Sequence, residues 1–374
     1  DMLCPPISET GNPVVCYPVS GYPLGCKASW EPTQEGSGDP SPDNVRPIKG
    51  RDSVAVERCG KNLVKYPYSS SSASRNGLVI TSKQDGSISV NGTATDNTWF
   101  PLRLDVEKRL PINTPMTLSG CPAGGSSESY YIGLYLGGKW FADTGKGNTD
   151  VKFTTREIAS RIEISIVKGT VCNNVTFYPK IEVGTTVTPY IKYTGQTATL
   201  TLPHTIYGGT VDAVTGEGQE MWKLLTLDGT EPWNAVGSGD TLYFQCTLIS
   251  IGTRVLSRDD YCTTFPIASV SSTNTAQGVN GWKTSLYLRW PTFADVAALK
   301  SYLAAQYAAG TPVQIAYKLA EPVLFTATGA QPVPALSGVN TLMTDADSMA
   351  VTGRADPIKR ITDLEDAVAS MTNT

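Results

Sequence analysis

Imidazole is nearly missing from this chain: His204 is the one histidine in 374 residues. Serine and cysteine triads, histidine-ligated zinc and most proton shuttles need an imidazole in a defined place, so that chemistry has almost no room here. Charge is scarce as well. Asp, Glu, Lys and Arg make 17% of the residues, against about 25% in an average soluble domain. The formal net charge of −4 supplies no basic field for a phosphate backbone, so nucleic acid is not an expected partner. Long apolar runs are lacking: the longest, at residues 130–136, is far short of the ~20 residues of a spanning helix. Residues 1–30 show no basic flank followed by an apolar core. Neither a membrane anchor nor an export signal is expected. The chain starts at Asp1-Met2 and stops inside a helical pattern, which reads as a piece or processed form of something longer.

The eight cysteines never approach C-x-x-C spacing, which argues against a zinc knuckle or a redox pair. They are too sparse for a disulfide-stapled scaffold and read as small buried apolar residues with free thiols; disulfide pairing among Cys4, Cys16 and Cys26, which lie close in sequence, is the alternative. What the chain has in abundance is turn formers, with 35 glycines and 25 prolines. That richness disfavours an all-helical protein and suits many short strands joined by tight turns. The expected fold class is therefore mainly β.

The stretch EPTQEGSGDPSPDNVRPIKG reads as an ordered loop between strands. LVITSKQ and SISVNGTA flank Asp85-Gly86, a pair suited to a type I′ turn, and YYIGLYL and KWFAD flank Gly137-Gly138 in the same way. In RIEISIVKG, Ile162, Ile164 and Ile166 alternate with Glu163 and Ser165, the period of a sheet with one wet face. A second β region follows, with TATLTLPHTIYGGTVD, MWKLLTL, TLYFQCTLISIG and SLYLRW as strands. Its one clear helix is expected over 293–309, capped by Thr292 with Asp295 three positions on. Val296, Leu299, Leu303 and Tyr307 make its apolar stripe, and Gly310 and Pro312 end it. Asp356-Pro357 starts a last helix, in which Ile361, Leu364, Val368 and Met371 form a narrow heptad-like seam. So thin a stripe is marginal alone in water, which points to an oligomerising stalk.

The phrases EGSGDPSPDNVRPIKG, CGKNL, GQTATLTLPHTIYGGTVDAVTGEG and VQIAYKLAEPVLFTATG resemble ones that recur in tail, baseplate and fibre proteins of phages and prophages of Firmicutes. The resemblance covers much of the chain outside residues 62–190. It implies a structural virion component of the phage tail, made in the bacterial cytoplasm, contacting other tail proteins and forming a homo-oligomer, a trimer by preference. It supplies no catalytic residue. Residues 61–193 are similar to carbohydrate-binding modules of the jelly-roll kind, which implies a β-sandwich and a glycan ligand. The resulting organisation is residues 1–60 as the first part of a β domain, 61–193 as the module, 194–355 as the rest of the β domain with its helix, and 356–374 as the oligomerisation helix. Residues 1–60 and 194–355 form one domain if the module is an insertion; a string of three consecutive domains is the alternative.

Sugars bind on flat aromatic faces with a few polar groups at the rim. Adjacent residues of a strand point to opposite faces, so if Phe100 and Phe141 are core, Trp99 and Trp140 face solvent. Trp99, Trp140, Tyr130 and Tyr135 are the candidate glycan-binding residues, with Asn97, Lys139, Asp143 and Asn148 as rim groups; the alternative is that these rings are ordinary packing. DTGKGNTD at 143–150 lacks the order of oxygens that calcium needs and reads as a surface turn. His204 reads as a structural imidazole. With 34 acidic residues some pair will always match a glycosidase spacing, so that match carries no information. No catalytic residue, metal or cofactor is expected. The chain reads as a non-enzymatic tail protein binding bacterial surface polysaccharide or cell-wall glycan; an architectural baseplate part, a depolymerase and a bacterial surface adhesin are the alternatives.

Overall fold

The structure, a computed structural model, describes residues 6–68, 72–102, 110–136, 139–145, 150–154, 159–247, 260–282, 284–358, 361–362, 365 and 368. It is mainly β, as the turn-rich composition predicts. No helix among the described residues is long and apolar enough to cross a membrane.

Strands from the two ends of the chain share two sheets. The longer runs in the order Pro6–Gly11, Ser348–Arg354, Pro23–Trp30, Gly209–Asp212, Glu217–Leu227, Val313–Thr326, Tyr261–Cys262, with antiparallel neighbours throughout. The shorter has the order Gly195–Ile206, Arg51–Cys59, Asn340–Thr344, Val14–Cys16. In Pro23–Trp30 every second side chain is buried, so Leu24, Cys26, Ala28 and Trp30 enter one core with Val54, Val56, Leu200 and Leu342 of the shorter sheet. The Trp30 indole N–H donates to the Ile206 carbonyl at 3.1 Å, satisfying the polar atom that this burial would orphan. The turn-rich tract after Trp30 is ordered by one arginine: Arg46 donates to the carbonyls of Glu35, Gly38 and Gly36.

Three further sheets hold residues 72–183: Val171–Phe177, Ile88–Thr93, Leu78–Ser82, Ser72–Arg75; Thr98–Leu102, Ala159–Ile166, Tyr130–Leu136, Lys139–Asp143; and Asp150–Thr154, Pro115–Ser119, Lys180–Val183. They enclose one core, in which Ile80, Val90, Met116, Ile132, Ile164 and Phe177 are fully buried. The chain enters and leaves this body side by side. Cys59 and Gly195 are partners in the ladder of Arg51–Cys59 with Gly195–Ile206, and Gly60 N–H donates to Thr194 O at 2.9 Å. The buried Glu57 carboxylate ties the two crossings together, accepting from the Tyr193 hydroxyl and pairing with Lys65 Nζ at 3.3 Å.

The last sheet, Trp233–Val236, Tyr243–Thr247, Ser285–Arg289, Gly278–Trp282, is covered by the helix Val296–Ala308. That helix starts three residues later than the sequence implies. Asp295 is the cap, accepting from Ala298 N–H at 2.8 Å, because Phe293 is drawn into the core beside Tyr302 and Phe265. Leu299 and Leu303 are buried, whereas Tyr307 lies exposed and leaves the apolar stripe. One hairpin expectation also changes. Lys83–Ser87 is a five-residue loop with one left-handed residue, Gly86 at φ +81°, so Asp85-Gly86 is not a type I′ turn. The type I′ geometry lies instead at Asn76-Gly77, φ +49° and +75°, joining Ser72–Arg75 to Leu78–Ser82. Gly137-Gly138 lies outside the described residues.

The seven described cysteines are buried free thiols. Burial pushes Cys16 and Cys26 up to about 12, and Cys246 and Cys262 up to about 11. A thiolate is the reactive form, so these four should resist a thiol reagent at pH 8 in the folded protein and react once denaturant exposes them. Peptide mapping after labelling checks this; native labelling at any of the four would contradict the burial described.

Candidate functional site

The sheet Thr98–Leu102, Ala159–Ile166, Tyr130–Leu136, Lys139–Asp143 carries the most aromatic surface of the described residues. Its inner side is set by Phe100, Leu102, Ile162, Ile164, Ile166, Ile132 and Leu134, all buried. That fixes the phase, and the opposite side receives Trp99, then Arg161, Glu163 and Ser165, then Tyr131, Gly133 and Tyr135, then Trp140 and Asp143. Trp99 pairs with Ser165, and Ser165 with Tyr131; Arg161 pairs with Tyr135, and Tyr135 with Trp140. The outer strands of such a sheet are about 14 Å apart, three strand spacings.

Trp140 is the centre of this face. Its ring meets Tyr131 and Tyr135 edge to face, with centroids 5.4 and 5.2 Å away, and it lies over Gly133. A Cβ on Gly133 would stand 3.1 Å from both Cη2 and Cζ3 of the indole, so glycine leaves the ring's edge room to pack closely on this strand. The indole N–H donates to Asp143 Oδ2 at 3.1 Å, and Asp143 Oδ1 accepts from Gly145 N–H at 2.6 Å. The ring is held from below and at its rim, while 44% of the residue remains open to solvent.

Beside it lies a charged network. Glu163 is buried although its strand alternates as if that face were wet. The Tyr135 hydroxyl donates to Glu163 Oε1 at 3.0 Å, Ser165 Oγ donates to the same oxygen at 3.3 Å, and Arg161 Nε pairs with Oε2 at 2.9 Å. The Arg161 guanidinium also lies over the Tyr135 ring, 4.2 Å from its centroid. Burial, together with the Glu163 charge, raises the Tyr135 phenol above its usual range. Both carboxylates of the face thus accept hydrogen bonds from the protein's own donors, an arrangement that fixes side chains in place.

The candidate residues of the sequence divide here. Trp99, Trp140 and Tyr135 share the open face; Trp99 is 46% exposed, with the Arg75 guanidinium 5.7 Å from its ring centroid. Tyr130 does not join them. Its ring packs on Phe177 and the core, and its hydroxyl donates to Ala123 O at 2.8 Å, because Ile132 and Leu134 set the strand phase that turns Tyr130 inward. Tyr131 takes the outward place. Phe141 is not core: the ladder shifts register between Leu134 and Tyr135, Phe141 is the residue left over, and its ring stands exposed against Phe153. Asn97 receives Lys168 N–H on its side-chain oxygen at 2.9 Å, and Asn148 lies outside the described residues. Arg161 and Glu163 were legible only as solvent-facing charges.

His204 is half exposed and sits 3.5 Å from the buried Glu220 carboxylate, which Lys223 also contacts at 2.9 Å, so it is a surface partner rather than a packed structural imidazole. At the C-terminus Pro357, Ile358, Ile361, Thr362, Glu365 and Val368 are helical, and Ile358, Ile361 and Val368 are exposed. Leu364 and Met371 lie outside the described residues. In comparisons with known proteins, no family model, no curated protein and no solved structure matches the chain.

Proposed function

We propose that this chain is a non-enzymatic structural protein of a phage tail, in which a jelly-roll-like body at residues 61–193 binds bacterial surface glycan through the face built on Trp140. The observation that carries the reading is the half-exposed Trp140 indole, packed by its edge on Gly133 between Tyr131 and Tyr135 and held by Asp143 at its N–H. A pyranose offers C–H bonds on its face and hydroxyls around its rim, and this surface matches both. Three sheets around one core support the sandwich. The Asp143 carboxylate is occupied by the Trp140 and Gly145 N–H groups and Glu163 is paired with Arg161, which supports holding the face in place. The helix starting at Asp356, with Ile361 and Val368 exposed, supports a homo-oligomer whose weak sites act together on a polymer.

The test is binding of the purified chain to Gram-positive cell-wall polysaccharide. Trp140→Ala should weaken it about tenfold or more, with the melting curve retained. Equal binding by that variant overturns the site, and release of reducing ends from the polysaccharide overturns the non-enzymatic assignment. Light scattering before and after removal of residues 356–374 tests the assembly: the mass should fall to that of a monomer, and an unchanged mass defeats the stalk. An architectural role is the second reading, favoured by Val323 and Leu324, which stand exposed on Val313–Thr326 where it pairs with Glu217–Leu227, as a docking patch would. Folded protein that binds no glycan decides for it.

A further inference from the structure

A second concavity lies far from the aromatic face in sequence, on the sheet that the helix Val296–Ala308 covers. It is a cavity of about 530 Å³, walled by the turn Gly239–Thr241, the loop before Gly278–Trp282, and the segment joining Ser285–Arg289 to the helix. That volume is in the range of small-molecule sites.

Its walls are held by one buried cation. Arg289, 5% exposed, donates from Nε to Leu242 O at 2.9 Å, from Nη2 to Thr241 O at 2.6 Å and Ser271 O at 2.8 Å, and from Nη1 to Asn274 O at 2.6 Å and Asn274 Oδ1 at 3.2 Å. A guanidinium has five N–H donors, and here all are spent on the two loops that face each other across the cavity. The loops are therefore fixed before any ligand arrives, which lowers the entropy lost on binding. With its donors occupied, Arg289 has nothing left for a phosphate or carboxylate.

The remaining lining divides into two kinds. Trp290, Pro291 and Phe293 are apolar, and Trp290 is braced by Phe265 with centroids 5.3 Å apart. Asp240, Thr275 and Gln277 are polar, exposed, and without a side-chain hydrogen bond to any described residue. Their neighbours Thr241, Ser271 and Asn274 are all engaged. A free carboxylate, a hydroxyl and a primary amide together ask for a ligand that both donates and accepts. An ammonium ion would satisfy Asp240 but give the Gln277 N–H groups no acceptor; a ring bearing hydroxyls answers all three and sets its C–H face on the apolar wall.

We propose that this cavity is a second saccharide site, taking one neutral sugar unit and independent of the face around Trp140. It goes beyond the proposed function, because it lies outside residues 61–193 and uses none of the same side chains.

The experiment is saturation-transfer NMR on the full chain with methyl glycosides of glucose, galactose and N-acetylglucosamine, and with choline as the cationic probe. The variants are Trp140→Ala and the double variant Asp240→Ala/Gln277→Ala, whose exposed side chains make no folding contact. At least one glycoside should give a signal that persists in Trp140→Ala and that falls about fivefold or more when Asp240→Ala and Gln277→Ala are added in the Trp140→Ala background. Three outcomes overturn the proposal: glycoside signals in the Trp140→Ala background unchanged by the two added substitutions, transfer to choline without transfer to any glycoside, or no transfer to any probe. Loss of signal in Trp140→Ala alone removes the second site and leaves the first standing; loss in the double variant alone does the reverse.

Discussion

Gly133→Val is expected to weaken polysaccharide binding about tenfold or more without removing a single aromatic ring. The first atom of any side chain at this position meets Cη2 and Cζ3 of Trp140 at 3.1 Å, a tight contact that already asks the ring to give by a few tenths of an ångström. The valine methyls then occupy the space where the indole lies, and the ring must swing off the sheet. Swinging breaks the edge contacts with Tyr131 and Tyr135 and the N–H bond to Asp143, which together hold the ring in place. Gly133 has an ordinary strand backbone with negative φ, so the fold tolerates valine there and the damage is confined to the face. Isothermal titration with the polysaccharide should show affinity lower by about tenfold or more, with a melting temperature near that of the wild type. Gly133→Ala should fall between the two. Wild-type affinity in the valine variant would mean that the orientation of Trp140 does not matter, and the proposed site would fail with it.

Gly120→Ala is expected to cost about 3–5 kcal/mol of stability, measured by urea unfolding. Gly120 has φ +98°, and a Cβ there would fall inside the carbonyl group of Tyr178. The two backbones are already joined, since Tyr178 N–H donates to Gly120 O at 2.8 Å, so no flexible side chain can give way. The strain lands between Pro115–Ser119 and the segment that follows Phe177, where both chains leave the core of residues 61–193 just past Leu118 and Phe177. Gly169 is the control. It has φ +86° but open space around it, so Gly169→Ala carries only the left-handed penalty of about 1 kcal/mol. Equal losses in the two variants would show that the Tyr178 contact contributes nothing.

Most of the secondary structure was legible because strand and helix periods are local. The alternation in Pro23–Trp30 and in Ala159–Ile166 names the buried face without any partner in view. What local reading mistook were choices between two adequate signals. Thr292 and Asp295 can each cap a helix, and the decision came from Phe293, whose burial lies outside any local rule. Asp-Gly and Asn-Gly are both turn pairs, and the tight turn formed where the flanking strands meet after two residues. The phase that turns Tyr130 inward and Tyr131 outward was present in Ile132 and Leu134, and reading those first would have found it. Three features had no local signature: the bulge that displaces Phe141, the rings that cover Glu163, and the pairing of Pro6–Gly11 with Ser348–Arg354 across nearly the whole chain.

The rung between Cys59 and Gly195 has an evolutionary meaning. A stretch of chain whose two ends meet across neighbouring strands, about 5 Å apart, can be cut out and replaced by a foreign one of any length without disturbing the ladder on either side. Recombination at that point can exchange the whole body of residues 61–193 in one event while the two sheets that carry it are inherited intact.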